Sequence, residues 1–267
     1  MAFKRIAAIV LRYFYLVRGS FARFLPLFAW VAVDIILWGF ISRYLNTVAA
    51  PGFNFVPALL GAVLLWDFFI RVMQGVTTAF FEDVWSRNFL NVFATPLSIW
   101  EYLAGLVVST TTTSAIGLAV MLAMASAIFG LPLLIYGWLA VPFLLVLFLF
   151  GIALGIVGAA IVLRLGPAAE WFVWPIPALV SPFAGVFYPI STLPGWMQSI
   201  ARLLPPSYVF ESLRSILSGG GAPVSMLFCA GGLVLFDVAL SCWIFARVYR
   251  HAVRTGLIAR YSAESIT

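Results

Sequence analysis

The sequence predicts an all-α membrane protein, and three features lead to that fold class. Hydrophobic residues make up 64% of the chain and charged ones 9%, whereas a soluble domain carries roughly a quarter charged residues. The apolar residues come in runs of about twenty or more, the length that crosses the hydrocarbon core of a bilayer. Turn formers separate these runs, at 49–54, at Gly130 and Pro132, at Gly166 and Pro167, and over the Gly-rich stretch 218–223.

Six segments qualify as transmembrane helices: 26–44, 56–80, 100–129, 136–163, 171–188 and 225–248. The chain divides into an interfacial segment over 1–25, a transmembrane domain over 26–248 and a basic tail over 249–267. Basic residues set the orientation. Lys4, Arg5, Arg12, Arg18, Arg23, Arg87, Arg164, Arg247, Arg250, Arg254 and Arg260 fall on one side of the expected membrane. Only Arg43, Arg202 and Arg214 fall on the other, and Arg71 lies within a span. By the positive-inside rule both termini are cytoplasmic, as an even number of spans requires. The net charge of +6 is thus a topology signal and not a nucleic-acid surface, because these residues flank apolar spans. Arg12, Arg18 and Arg23 also interrupt any h-region, so no cleavable signal peptide is expected.

Several segments are not simple spans. In the N-terminal arm Arg5, Arg12 and Arg23 repeat at seven and eleven residues, opposite Ile6, Ile9, Val10 and Phe14. That pattern suits a helix lying among headgroups, offering cations to anionic lipid, or else a basic flank that only enforces topology. In the second loop Val84, Trp85, Asn88, Phe89 and Val92 suggest a short amphipathic helix that exposes Asp83, Arg87 and Asn91. Pro96 ends it, and Ser98 with Glu101 forms a capping box that starts the third span. Between Gly166 and Pro223 lie nine of the fifteen prolines. Pro175, Pro177 and Pro182 should kink or break the fifth span. Two apolar stripes follow: Trp196, Met197, Ile200, Leu203 and Leu204, then Val209, Phe210, Leu213, Ile216 and Leu217. Each is too short to span, and with Pro205 and Pro206 between them they read as segments that dip into the outer leaflet and return.

The second of these regions resembles the ABC-2 transporter permease family. The carrying residues are Phe187, Tyr188 and Pro189, then Leu193-Pro194-Gly195-Trp196, Pro205 with Tyr208, and Glu211 with Arg214. They are similar to the family's aromatic-Pro pair, Leu-Pro-x-Trp step, Pro-x-x-Tyr turn and Glu-x-x-Arg ending. The stretch from Asn91 to Glu101 is similar to the segment after the family's coupling helix. The resemblance implies a homodimer of permeases with two copies of an ABC ATP-binding subunit, in a bacterial cytoplasmic (inner) membrane. It implies that Glu82, Asp83, Arg87, Asn88 and Asn91 belong to the coupling helix. It also implies that residues 192–217 form two re-entrant helices near the exit, that Tyr188, Pro189, Trp196, Pro205, Tyr208, Glu211 and Arg214 belong to the exit gate, and that the first and fifth spans line the path between protomers.

The residue inventory limits other chemistry. Lys4 is the only lysine, so a P-loop cannot be written, and ATP with its magnesium is expected on the partner subunit. His251 is the only histidine and sits in the basic tail, which leaves no paired-histidine zinc site and no Ser-His pair in the membrane. No cofactor, metal or nucleic acid is expected on this chain. Cys229 and Cys242, thirteen residues apart on one span, lie roughly 20 Å apart along its axis and read as small core residues. Asp34, Asp67 and Asp237 lie within spans, where a carboxylate costs about 2.5–3.5 kcal/mol. Arg71, four residues beyond Asp67, offers it a structural partner; Asp34 and Asp237 have none nearby in sequence. Aromatic residues reach 16%, which suits stacking on sugars and equally anchoring at interfaces. The expected function is the permease of an ATP-driven exporter for an amphiphilic or lipid-linked substrate, such as a glycan or drug. The rivals are a proton-coupled transporter using Asp34, Asp67 and Asp237, and an intramembrane enzyme. The first lacks an internal repeat; the second lacks the histidine, lysine and signature aspartates.

Overall fold

The computed structural model describes residues 2–19, 26–48, 54–86, 91–92, 94–131, 137–220 and 224–257. Within them the chain forms helices and turns and no strand. In chain order α1 is Ala2–Arg18, α2 Pro26–Val48, α3 Gly61–Trp85, α4 Ile99–Phe129 and α5 Ala140–Leu165. Then follow α6 Glu170–Val173, α7 Ile176–Ala184, α8 Gly195–Ala201, α9 Pro205–Leu217 and α10 Val224–Thr255. A π-helical turn at Val56–Leu60 leads into α3.

Five described segments are long and apolar enough to cross a membrane: Ala29–Val48, Val56–Trp85, Ile99–Phe129, Ala140–Leu165 and Val224–Thr255. The expected fifth crossing is different. Over 171–188 the chain forms α6 and α7, parted at Trp174 and Pro175, with Pro177 in the first turn of α7 and Pro182 inside it. Pro175 lacks the amide that would continue α6 and Pro177 fits the first turn of a new helix, so α6 and α7 stay separate, while Pro182 is carried inside α7.

The centre of the bundle is α3 against α5; α10 packs along α5 and reaches α3 where Phe245 meets Phe80, and α4 lies beside α3. Gly151 and Gly155 let α5 come this close. A Cβ on Gly155 would lie 2.7 Å from Val76 Cβ and 2.9 Å from the Met73 carbonyl oxygen. Only a bare backbone fits there, as small-residue packing between membrane helices requires. By contrast α2, α4 and α10 turn large apolar side chains outward, among them Trp30, Phe40, Ile116, Leu235 and Trp243. Cys229 also lies on the outer face of α10, so it is no core residue as its small size suggested, and both cysteines are free thiols.

The ends of α4 show how local sequence fixes a boundary. Ser98 Oγ accepts the Glu101 amide at 3.2 Å while Glu101 Oε2 accepts the Ser98 amide at 2.9 Å, the expected capping box. At the other end Gly130 adopts φ +67°, and its amide and that of Leu131 close on Ser126 and Ala125. Arg43 of α2 donates to the Ile128 carbonyl at 2.7 Å and lies over the Phe129 ring, satisfying another exposed acceptor of the same terminus.

Candidate functional site

Three groups of sequence-selected residues occupy separate levels of the bundle. At the level where α3 ends and α4 begins, the second loop departs at Ser86 and returns at Ser98. Glu82 and Asp83 belong to the last turn of α3, which runs unbroken to Trp85. Asn91 is exposed in a helical pair with Val92, whereas Arg87 and Asn88 lie outside the described residues.

Asp83 corrects the sequence expectation. The amphipathic pattern puts it on an exposed face, yet its side chain is only 2% exposed. Its carboxylate pairs with the Arg12 guanidinium of α1 and accepts the Tyr102 hydroxyl of α4 at 2.8 Å. The reason is phase: because α3 continues to Trp85, Asp83 stays on the side of the helix that faces α1 and α4. A buried carboxylate needs this kind of partnership. A second ion pair joins Arg5 to Glu101 at 3.2 Å. Ile9, between the two arginines, packs where Gly105 leaves room; a Cβ on Gly105 would meet Ile9 Cβ at 2.8 Å. The N-terminal helix is therefore docked on α4, with Arg5, Ile9 and Arg12 on one face, so Ile9 does not lie opposite the arginines as the sequence suggests: Gly105 opens a place for it between the two ion pairs. Its exposed cations are Lys4 and Arg18, beside Phe3, Phe14 and Tyr15; Arg23 lies outside the described residues. Trp85 completes this end by donating its indole N–H to Glu170 Oε2 of α6 at 2.9 Å.

At the middle level the aspartates do not gather as one set. Asp67 and Arg71 are near enough for their charges to attract, but they form no close ion pair among the described residues, and Asp67 Oδ2 and Arg71 Nε are buried without a hydrogen-bond partner there. Arg71 lies instead against Gly117 of α4, where a Cβ would sit 2.7 Å from its Cδ and Nε. The space left by that glycine draws the guanidinium sideways, which i, i+4 spacing could not reveal. The α4 hydroxyls of Thr110 and Ser114 are also buried and unpartnered among the described residues. Asp34 of α2 is near enough to Asp67 for the two charges to interact. Asp237 is half-buried on α10, a helix that packs chiefly on α5 and α9.

At the opposite end the exit residues form a tied turn. Glu211 Oε1 accepts the Ile190 amide at 2.7 Å and Arg214 Nη2 at 3.0 Å. Arg214 Nη1 reaches the Val186 carbonyl at 3.4 Å. Tyr188 donates to the Pro182 carbonyl and Tyr208 to that of Arg202, each at 2.8 Å. Pro205 and Pro206, which separate the two stripes, are not themselves the bend: they open α9, where a missing amide costs nothing. The bend lies at Arg202–Leu204, held by Ser207 Oγ donating to Ala201 at 2.6 Å. The stripe of α9 is buried in protein through Val209, Phe210 and Leu213, whereas Trp196 and Ile200 of α8 and Leu203 in the bend stay exposed. Pro189 is exposed on the turn. Phe187 stacks on Trp38 of α2 at 5.1 Å, joining this turn to α2.

The partners that sequence reasoning missed are Arg12, Tyr102, Glu170 and Trp38. The seven-residue spacing of Arg5 and Arg12 was the one available signal, since it placed both on one face.

Known proteins bear on these features. The model of the family described as ABC-2 type transporter matches residues 9–218. The chain is 28% identical over 200 residues to the inner membrane transport permease YadH of Escherichia coli K12, covering 72% of this chain and 75% of that protein. The permease of the same name from Shigella flexneri matches with the same identity and coverage.

Proposed function

Because the chain belongs to the ABC-2 type transporter family, we propose that it is the membrane-spanning permease of an ATP-driven exporter. It works in a bacterial inner membrane as a homodimer carrying two ABC ATP-binding subunits, which bind ATP and magnesium. Both termini and the second loop face the cytoplasm, and Glu82, Arg87, Asn88 and Asn91 lie in or beside the contact with the ATPase. The substrate class is an amphiphile or lipid-linked molecule, glycan or drug.

The observation that supports this reading best is the pairing of a rigid end with a broken one. The second loop springs from helix ends held by Asp83, Tyr102 and the capping box. That is what a segment receiving a mechanical stroke needs. The proline-broken region 170–217 starts beside that end, where Glu170 accepts Trp85, and its tied turn over 186–217 lies at the other pole. Residues 170–184 rise only about 22 Å if helical throughout, short of the roughly 30 Å hydrocarbon core. We read them as a short sixth crossing, with α8 and α9 filling the remaining outer-leaflet depth as re-entrant helices. The exposed Trp196, Ile200 and Leu203 then face lipid or the partner protomer.

Native mass measurement of the detergent-purified complex tests the assembly. The expected mass is that of two permeases and two ATPase subunits. A permease that is stable and active without any ATP-binding subunit overturns the reading.

A further inference from the structure

We propose that α1 is a strut of the coupling machinery, fixed to both helix ends that flank the second loop, with Arg12, Asp83 and Tyr102 as positioning residues for that loop. The inference rests on the coupling role proposed above and assigns it parts that do not themselves touch the ATPase.

The spacing is the first support. Arg5 and Arg12 lie seven residues apart, close to two helical turns, so they share a face. Their acids sit on different helices: Asp83 in the last turn of α3, Glu101 in the first turn of α4. A flank that only enforces topology needs no acid partner. Here both arginines on that face have one.

Shape is the second. Ile9 is buried between the two ion pairs, and Gly105 is the residue that admits it. A helix held only by lipid has no reason to be keyed into a groove of one protein helix.

The third is the joint itself. Asp83 is held from two sides, by the Arg12 guanidinium and by the phenol of Tyr102, which is fully buried. Removing either partner leaves a buried charge without compensation, so the geometry has one favourable arrangement. Tyr102 follows the capping box directly and Trp85 leaves α3 two residues after Asp83. Any displacement of the second loop must therefore move this joint. On one side the joint leads to α1, whose outer face bears Phe3, Phe14 and Tyr15 for the membrane surface. On the other, Trp85 leads through Glu170 into the broken segment.

The test uses a chain with Cys229 and Cys242 replaced by alanine, assembled with its ATPase subunit in vesicles of phosphatidylethanolamine and phosphatidylglycerol. The readout is ATP hydrolysis relative to the ATPase subunit alone. Arg12→Gln combined with Asp83→Asn removes both charges together, so no buried charge is stranded. The expected result is an intact complex whose stimulation falls about fivefold, within the range that changes along a coupling network produce. Ile9→Cys with Gly105→Cys is then added; the two Cβ positions lie 2.8 Å apart, and a shift of α1 by about 1 Å brings them to disulfide spacing. Oxidation should bring stimulation back towards the parent value, and reduction should remove it again. A role confined to stability would not follow the thiol reagents reversibly. Undiminished stimulation in the charge-free pair, or no recovery on oxidation, overturns the strut. Failure of the parent chain itself to hold an ATPase subunit is a separate outcome, which removes the coupling reading and the strut together.

Discussion

Replacing Glu211 by alanine should loosen the exit turn, and the structure sets the scale. One carboxylate oxygen serves two donors, the Ile190 amide at 2.7 Å and Arg214 Nη2 at 3.0 Å. The pair is neither exposed nor sealed, with side chains 28% and 26% accessible. An exposed pair contributes about 0.2–1 kcal/mol, and a buried one costs about 3–5 kcal/mol to break. This site falls between them, at about 1–2 kcal/mol, and the stranded Ile190 amide adds about 1 kcal/mol. A total of about 2–3 kcal/mol corresponds to a fall in Tm of about 4–12 °C for a chain of this size. Glu211→Gln is the informative comparison. Its amide oxygen still accepts from Ile190, so only the charge is lost, at about 1 kcal/mol or about 2–4 °C. Thermal unfolding of the purified protein in detergent separates the two. Equal midpoints for the alanine and glutamine variants would refute the claim that the turn hangs on the Ile190 bond.

Other predictions follow from packing and from the unpaired groups. Asp67→Asn should change Tm by less than about 4 °C, because Arg71 attracts the carboxylate from beyond ion-pair distance while Asp34 opposes it; a larger fall would mean that the two form a close pair. Gly155→Leu should cost about 1–3 kcal/mol by forcing α5 from α3, whereas Gly195→Ala, with nothing within 4 Å of its new Cβ, should be silent; equal midpoints in detergent would contradict the close approach. In a background without Cys229 and Cys242, a cysteine at Leu203 should react with a membrane-soluble maleimide far faster than one at Leu213. The first is 67% exposed and the second 1%, so equal rates would show that α9 is not packed into the protein.

Much of this architecture could be read from residue pattern because it depends on local chemistry. Apolar runs gave α2, α3, α4, α5 and α10, since the bilayer sets their length. Ser98 and Glu101 gave the start of α4, since a capping box needs only four residues. The prolines gave the break near Trp174. What could not be read depends on contacts distant in sequence. The stripe of Val84, Trp85, Asn88, Phe89 and Val92 suggests a new helix that would expose Asp83. The continuation of α3 through Trp85 keeps it in the phase of the span and turns it to Arg12, seventy-one positions away. Asp67 and Arg71 had the right spacing for an ion pair, but Gly117 on another helix offered the guanidinium a different place. The exit turn shows both cases together: Glu211 and Arg214 pair as neighbours on one helix, while their hold on Val186 and Ile190 appears only in the folded chain.

Site-specific photocrosslinking from Asn91 tests the central claim, that this chain is driven by an ABC ATPase through its second loop. A benzophenone amino acid at Asn91, which is exposed beside the held ends of α3 and α4, should capture the ATP-binding subunit in intact membranes. The same group at Trp196, at the opposite pole, should capture none of it. An adduct from Trp196, or the absence of one from Asn91 in a complex that still contains the ATPase, would contradict the account.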